Sequence, residues 1–157
     1  MNRVFIRTEF SRGPEDDPGT ELPLPACAKT VKTFINKVLK TMGKNDWELS
    51  LLFCNNLFIK SLNAQYRNKD EPTDVLSFPL GETGQDGRFL AGDIVISVDA
   101  LEENTRFFRV SAEEELRRLL VHGILHLAGG EHATNRAGEP MLETQEKILA
   151  LVTEKVQ

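Results

Sequence analysis

The stretch SAEEELRRLLVHGILHLAGGEH, residues 111–132, predicts the central helix of the protein. Ser111 stands three residues before Glu114, and this S-x-x-E capping box is typical of a helix start. The apolar residues that follow are too dense for a single stripe, so most of the helix circumference must be buried. They are Leu116, Leu119, Leu120, Val121, Ile124, Leu125 and Leu127. We therefore expect a buried helix over residues 111–128.

All three histidines of the chain lie in this stretch. His122 and His126 are four residues apart, which places both imidazoles on one helix face, separated by about 40°. Gly129 and Gly130 precede His132, and glycine at a helix end lets the chain turn back toward the helix. Three imidazoles select zinc, copper, nickel or iron and leave a fourth position open for water. The sequence thus predicts a catalytic metal site on the central buried helix.

The rest of the chain alternates strand and helix patterns. Strands are predicted at residues 3–8, 47–54, 73–78 and 92–98, and further helices at 26–42, 57–67, 99–108 and 140–155. Residues 11–25 carry four of the seven prolines and are expected to form a loop. The element order β-α-β-α-β-β-α-α-α indicates one α/β domain, a small mixed four-stranded sheet with surrounding helices. Strand order stays open, because the right-handed crossover rule limits the topologies without choosing one.

Composition is that of a soluble globular protein: 157 residues, 40% hydrophobic and 27% charged. The formal net charge of −5 supplies no overall field that would attract nucleic acid or an anionic membrane. The chain has no apolar run long enough to span a membrane and no secretory signal pattern, so we expect a cytoplasmic protein. Cys27 and Cys54 are far apart and are expected to be buried free thiols.

Two further segments carry polar residues of interest: SLNAQYRNKDEPTDVLSFPLG at residues 61–81 and GDIVIS at 92–97. Arg67 and Lys69 form a small basic cluster that could hold a phosphate, although solvated surface cations are common. Asp74 and Asp93 each open a predicted strand, where carboxylates serve as turn or capping groups as well as functional ones.

Together these segments resemble the YbeY family of bacterial metal-dependent endoribonucleases, which act in ribosomal RNA maturation. The first segment matches at Leu62, Asn63, Tyr66, Arg67, Lys69, Asp70, Pro72, Thr73, Asp74, Val75, Leu76, Ser77, Phe78 and Pro79, and the second at Gly92, Asp93, Ile94, Ile96 and Ser97. The family's histidine box covers His122 to His132. Where that box usually reads leucine, glycine, tyrosine and aspartate, this chain has Ala128, Gly129, Gly130 and Glu131, which leaves the role of Glu131 open.

The resemblance implies one Zn²⁺ ion bound by His122, His126 and His132, and a functional arginine at position 67. It also implies single-stranded or ribosomal RNA as the substrate, with roles in small-subunit rRNA maturation and ribosome quality control. Ribosomal proteins or other nucleases are the implied partners. We therefore interpret residues 1–157 as a single metal-dependent hydrolase domain. In it Arg67 stabilises the charge that grows on the scissile phosphate.

Two alternatives remain open from the sequence. The ligand spacing H-x-x-x-H-x-x-G-x-x-H also occurs in metzincin proteases, but these carry a glutamate base where this chain has Gly123. A non-catalytic ribosome assembly factor with a structural metal is the second alternative. Structural zinc normally has four protein ligands, and Cys27 and Cys54 are the only thiols that could complete such a set.

Overall fold

The computed structural model describes residues 1–11, 24–129 and 140–154. Its strands and helices are β1 (Arg3–Glu9), α1 (Ala28–Thr41), β2 (Trp47–Cys54), α2 (Asn56–Arg67), β3 (Val75–Thr83), β4 (Phe89–Ser97), α3 (Val98–Phe108), α4 (Ala112–Leu127) and α5 (Pro140–Glu154). This order confirms the predicted succession of elements and the α/β class. Residues 12–23 of the predicted loop, and Lys155 of the last predicted helix, lie outside the described residues.

The four strands form one mixed sheet in the order β1-β2-β4-β3. β1 pairs with β2 and β2 with β4 in parallel, whereas β3 and β4 form an antiparallel pair. β3 therefore lies at one edge of the sheet and runs beyond its predicted end, past Pro79 to Thr83. An edge strand tolerates a proline because no partner needs the missing N–H on the open side. The ladder shifts register just after Pro79, between this residue and Glu82.

Gly92 allows β3 and β4 to lie close together. Its φ is +132°, and a Cβ at this position would lie 2.1 Å from the carbonyl oxygen of Phe78. No residue with a side chain fits there, so the close approach of β3 and β4 explains the glycine of the GDIVIS segment.

The sheet presents two different faces, because successive side chains of a strand point to opposite sides. On the α4 face, apolar strand residues form the main core with α1, α4 and α5; they include Leu49, Leu51, Phe53, Ile94 and Ile96. On the α2 face, a smaller cluster of Cys54, Leu76 and Val95 surrounds Ile59 of α2. Among the described helices, none combines the length and the apolarity needed to cross a bilayer.

Helix starts follow the sequence closely. The Ser111 hydroxyl accepts a hydrogen bond from the Glu114 N–H at 3.1 Å, which confirms the predicted N-cap of α4. Asn55 caps α2 in the same way, accepting from the Phe58 N–H at 3.1 Å. Each cap satisfies a backbone donor that the helix itself leaves without a partner.

The two cysteines have different environments. Cys54 is buried, as predicted, but the prediction of a buried Cys27 is wrong, since that residue is exposed. Cys27 occupies the N-cap position of α1, before the amphipathic pattern begins, and its Sγ lies 3.0 Å from Thr30 Oγ1. Neighbouring apolar residues in the sequence therefore did not indicate burial here.

Candidate functional site

The central helix α4 lies directly on the sheet at Gly123. A Cβ at this position would lie 2.9 Å from Cγ2 of Ile94, a fully buried residue of β4. The Ser77 hydroxyl of β3 donates a hydrogen bond to the Gly123 carbonyl oxygen at 3.3 Å. All seven apolar residues predicted to bury α4 are buried. Gly123 thus fixes the height of the helix, and hence of its histidines, above the sheet.

His122 and His126 face each other on α4, as their four-residue spacing predicts. Their Nε2 atoms lie 3.1 Å apart, and the ring centroids are separated by 4.6 Å with the planes inclined at 68°. Both side chains are half-buried in the apolar second half of the helix. The arrangement brings two nitrogen donors to one point while leaving access from solvent.

Gln145 of α5 contacts His122 and was not predicted from the sequence. Its Oε1 lies 2.9 Å from His122 Nδ1, and the glutamine is 5% exposed. A carbonyl oxygen can only accept, so Nδ1 carries the proton, and in the neutral imidazole the Nε2 lone pair points toward His126. Metal-binding histidines in proteins are oriented by such a bond on the other ring nitrogen. The only signal in the sequence was a glutamine on the buried face of a predicted helix.

The geometry of the pair fits a zinc ion. Two nitrogens bound tetrahedrally at about 2.0–2.1 Å lie about 3.3–3.4 Å apart, close to the Nε2–Nε2 distance of 3.1 Å. The third predicted ligand, His132, lies outside the described residues, as do Gly130 and Glu131. Within residues 1–11, 24–129 and 140–154, no cluster of three or more histidine, cysteine or acidic side chains forms a potential metal site.

Cys54 lies on the other side of the sheet from the histidine pair. It belongs to the α2-face cluster, and its Sγ donates toward the Ile96 carbonyl oxygen at 3.5 Å. Burial, reinforced by the Asp99 carboxylate, raises the pKa of this thiol to about 12. A metal binds the thiolate and not the thiol, so Cys54 is not suited to close the site.

A buried polar network fixes the start of α4 against α3 and β3. Glu115 is 1% exposed and forms an ion pair with Arg118 at 2.8 Å. The Asn104 amide of α3 donates to Glu115 at 2.9 Å and to Asp74 at 3.1 Å. Asp74 also accepts from the Val75 N–H at 2.8 Å, at the start of β3.

The comparison with known proteins is decisive for the family. A family model described as endoribonuclease YbeY matches residues 16–153. The chain belongs to the endoribonuclease YbeY family. A Treponema denticola protein named endoribonuclease YbeY is 48% identical over 140 residues, 86% of each chain. Relatives of the same name from Treponema pallidum and Borreliella afzelii are 48% and 45% identical, over 80% and 74% of this chain and 81% and 80% of their own.

A solved structure supports the fold of this YbeY family member. The solution structure of a Thermotoga maritima protein is similar to it with a TM-score of 0.60 and 29% sequence identity. The similarity covers 99% of this chain and 91% of the other. The family model and the named relatives confirm the resemblance inferred from the two polar segments and the histidine box.

Arg67 of this YbeY family member lies on a different element from the histidines. It is the last residue of α2, is exposed, and is followed by Asn68 in the left-handed conformation that ends the helix. α2 packs on the face of the sheet opposite α4, and within the described ranges Arg67 forms no hydrogen bond or ion pair with either histidine. The edge strand β3 lies between Arg67 and the histidines. Its Ser77 contacts α4, and its Phe78 lies on the α2 side.

Proposed function

We propose that this protein is a metal-dependent endoribonuclease that cleaves single-stranded RNA in the cytoplasm. Its role would be the maturation of small-subunit ribosomal RNA and ribosome quality control, with ribosomal proteins or other nucleases as partners. The observation that carries the catalytic part is the convergence of His122 Nε2 and His126 Nε2 at 3.1 Å, with Nδ1 of His122 held by Gln145. We infer RNA as the substrate from membership in the family.

The residues that would hold a zinc ion are His122, His126 and His132. When bound, zinc would lower the pKa of a water ligand to about 7 or polarise a phosphate oxygen. Gln145 keeps the His122 proton on Nδ1, so that Nε2 remains a donor to the metal.

Arg67 is proposed to stabilise the negative charge on the phosphoryl oxygens during cleavage. Its planar guanidinium can engage two oxygens at once, and it is free of ion pairs within the described part of the chain. A strand of RNA that crosses the edge of β3 could meet α4 on one side and the end of α2 on the other. Removal of one such group typically costs about a hundredfold in rate.

Peptidase activity is disfavoured by the position of Gly123. A glutamate base would have to replace this glycine, yet a side chain there points into Ile94 and not into the histidine site.

An assembly factor without catalysis is the remaining alternative. It would bind a metal at the same histidines and leave RNA intact.

The test is cleavage of a labelled single-stranded RNA by zinc-loaded wild type, His126→Ala and Arg67→Ala. Arg106→Ala is the matched control, because Arg106 is an exposed arginine of α3 that pairs only with Glu102 among the described residues. We expect strong suppression by the first two substitutions and none by the control. Equal cutting by all four proteins would refute the proposal by indicating a contaminating nuclease. RNA left intact by wild type would favour the assembly factor.

The products of that reaction identify the attacking group. A 2′,3′-cyclic phosphate with a 5′-hydroxyl indicates attack by the RNA's own 2′-hydroxyl, whereas a 5′-phosphate with a 3′-hydroxyl indicates attack by water. A parallel incubation with an unfolded peptide substrate tests the peptidase alternative, for which we expect no cleavage.

A further inference from the structure

A cavity lies on the α2 face of the sheet, away from the histidine pair. It has a volume of about 380 Å³, within the range of small-ligand pockets. α2 covers the sheet over Cys54, Leu76 and Val95, whereas no residue of β1 belongs to this cluster. Phe5 of β1 is consequently 50% exposed. The cavity forms where the covered half of the face meets the uncovered half.

Aromatic side chains form one wall of this cavity. Phe58 and Tyr66 come from α2, and Phe78 comes from the edge strand β3. Tyr66 packs edge-on against Phe78, with ring centroids 5.2 Å apart and planes inclined at 69°. Tyr66 is nevertheless 60% exposed, so much of its ring remains available to a ligand. Leu52 and Val95 add an apolar floor.

Polar side chains also line the cavity, and one of them, Asp93, is the cross-strand neighbour of Phe78. Arg7 of β1 offers hydrogen-bond donors, Asp93 of β4 offers acceptors, and the Ser50 hydroxyl of β2 can do both. Arg7 and Asp93 are exposed, which leaves these groups accessible. An aromatic wall with hydrogen-bond donors and acceptors beside it suits a flat ring with a polar edge.

We propose that this cavity binds an unpaired nucleobase of the RNA substrate. The inference rests on the proposed ribonuclease function and adds a base-binding subsite to it. Bases of single strands stack on aromatic side chains, and their edges carry the donors and acceptors that the polar side chains of the cavity complement. Two exposed cations, Arg67 and Lys69, follow Tyr66 in the chain and are available to the adjoining phosphates.

The cavity is placed to hold the same strand that reaches the histidines. Phe78 lines the cavity, and its neighbour Ser77 donates to Gly123 on α4, between the two histidines in sequence. One edge strand therefore separates the two sites. A base held by Tyr66 would anchor the RNA and offset the weak nonspecific affinity expected of a protein with net charge −5.

The test uses the zinc-loaded protein and a fluorescent 2′-O-methyl single-stranded oligonucleotide, which cannot be cleaved by internal attack. We expect Tyr66→Ala to weaken binding by about five- to a hundredfold, as loss of one stacked base predicts. Tyr66→Phe keeps the ring and should bind like wild type. Phe107→Ala is the matched control, since Phe107 is an aromatic residue of α3 that is 82% exposed.

Tyr66 is the only tyrosine of the chain, so 3-fluorotyrosine places a single ¹⁹F label in the cavity. We expect its resonance to shift and saturate with the oligonucleotide. The inference is overturned if the resonance stays unchanged at saturating oligonucleotide, or if Tyr66→Ala and Phe107→Ala bind alike. Cleavage of unmodified RNA by the same samples separates the two proposals. If wild type cleaves RNA and Tyr66→Ala binds the oligonucleotide as tightly as wild type, only the base-binding subsite is refuted. If wild type does not cleave RNA, the ribonuclease function is refuted.

Discussion

Gly123→Ala tests whether the close contact between α4 and the sheet fixes the histidine helix in place. The added methyl would lie 2.9 Å from Cγ2, 3.1 Å from Cδ1 and 3.2 Å from Cγ1 of Ile94. Overpacking a core in this way costs about 1–3 kcal/mol. Alanine is favoured over glycine inside a helix by about 1 kcal/mol, which offsets part of that cost. We therefore expect the free energy of unfolding to fall by about 0–2 kcal/mol.

The same substitution in an Ile94→Ala background isolates the contact, because all three crowding atoms are then absent. There we expect Gly123→Ala to raise the free energy of unfolding by about 1 kcal/mol through helix propensity alone. Urea denaturation of the four proteins gives a coupling energy of about 1–3 kcal/mol between the two positions. An identical effect of Gly123→Ala in both backgrounds would refute the reasoning.

Four other predictions concern individual side chains. Gln145→Leu removes the acceptor at Nδ1 of His122 and should weaken zinc binding about 10- to 100-fold, measured by competition with a chelating dye. Iodoacetamide should label the exposed Cys27 and spare Cys54 in the folded protein, as mass spectrometry would show. Burial raises the pKa of Cys54 from 9.0 to about 12, so the folded state holds the thiol proton more tightly than the unfolded state. The free energy of unfolding should therefore keep its full value below pH 9.0 and fall as pH rises from 9.0 toward 12. In Cys54→Ala this decline should be smaller. Asn55→Ala removes the N-cap of α2 and should lower the free energy of unfolding by about 1 kcal/mol in thermal or urea unfolding.

Local signals made most of the fold predictable. Periodicity and caps identified each element, and the dense apolar residues after Ser111 marked α4 as the buried helix. The four-residue spacing of His122 and His126 was sufficient to place both rings on one face, since helix geometry alone determines it.

Features that depend on tertiary contacts were not predictable. Strand order follows from which faces pack together, and several orders satisfied the sequence rules. Gln145 is 23 residues from His122 in sequence and reaches it only because α5 packs on α4. The cavity beside Tyr66 arises because α2 covers only part of its sheet face, which no pattern within α2 reveals. β3 continues past Pro79 only because it is an edge strand.

The most direct test of the account is the metal dependence of RNA cleavage by wild type and His126→Ala. Each protein is stripped with a chelator, assayed on a single-stranded RNA, and assayed again after zinc is restored. We predict that wild type loses activity and regains it with zinc, whereas His126→Ala stays inactive in both states. Cleavage by stripped wild type at the full rate, or by His126→Ala at the rate of zinc-loaded wild type, would contradict the central claim.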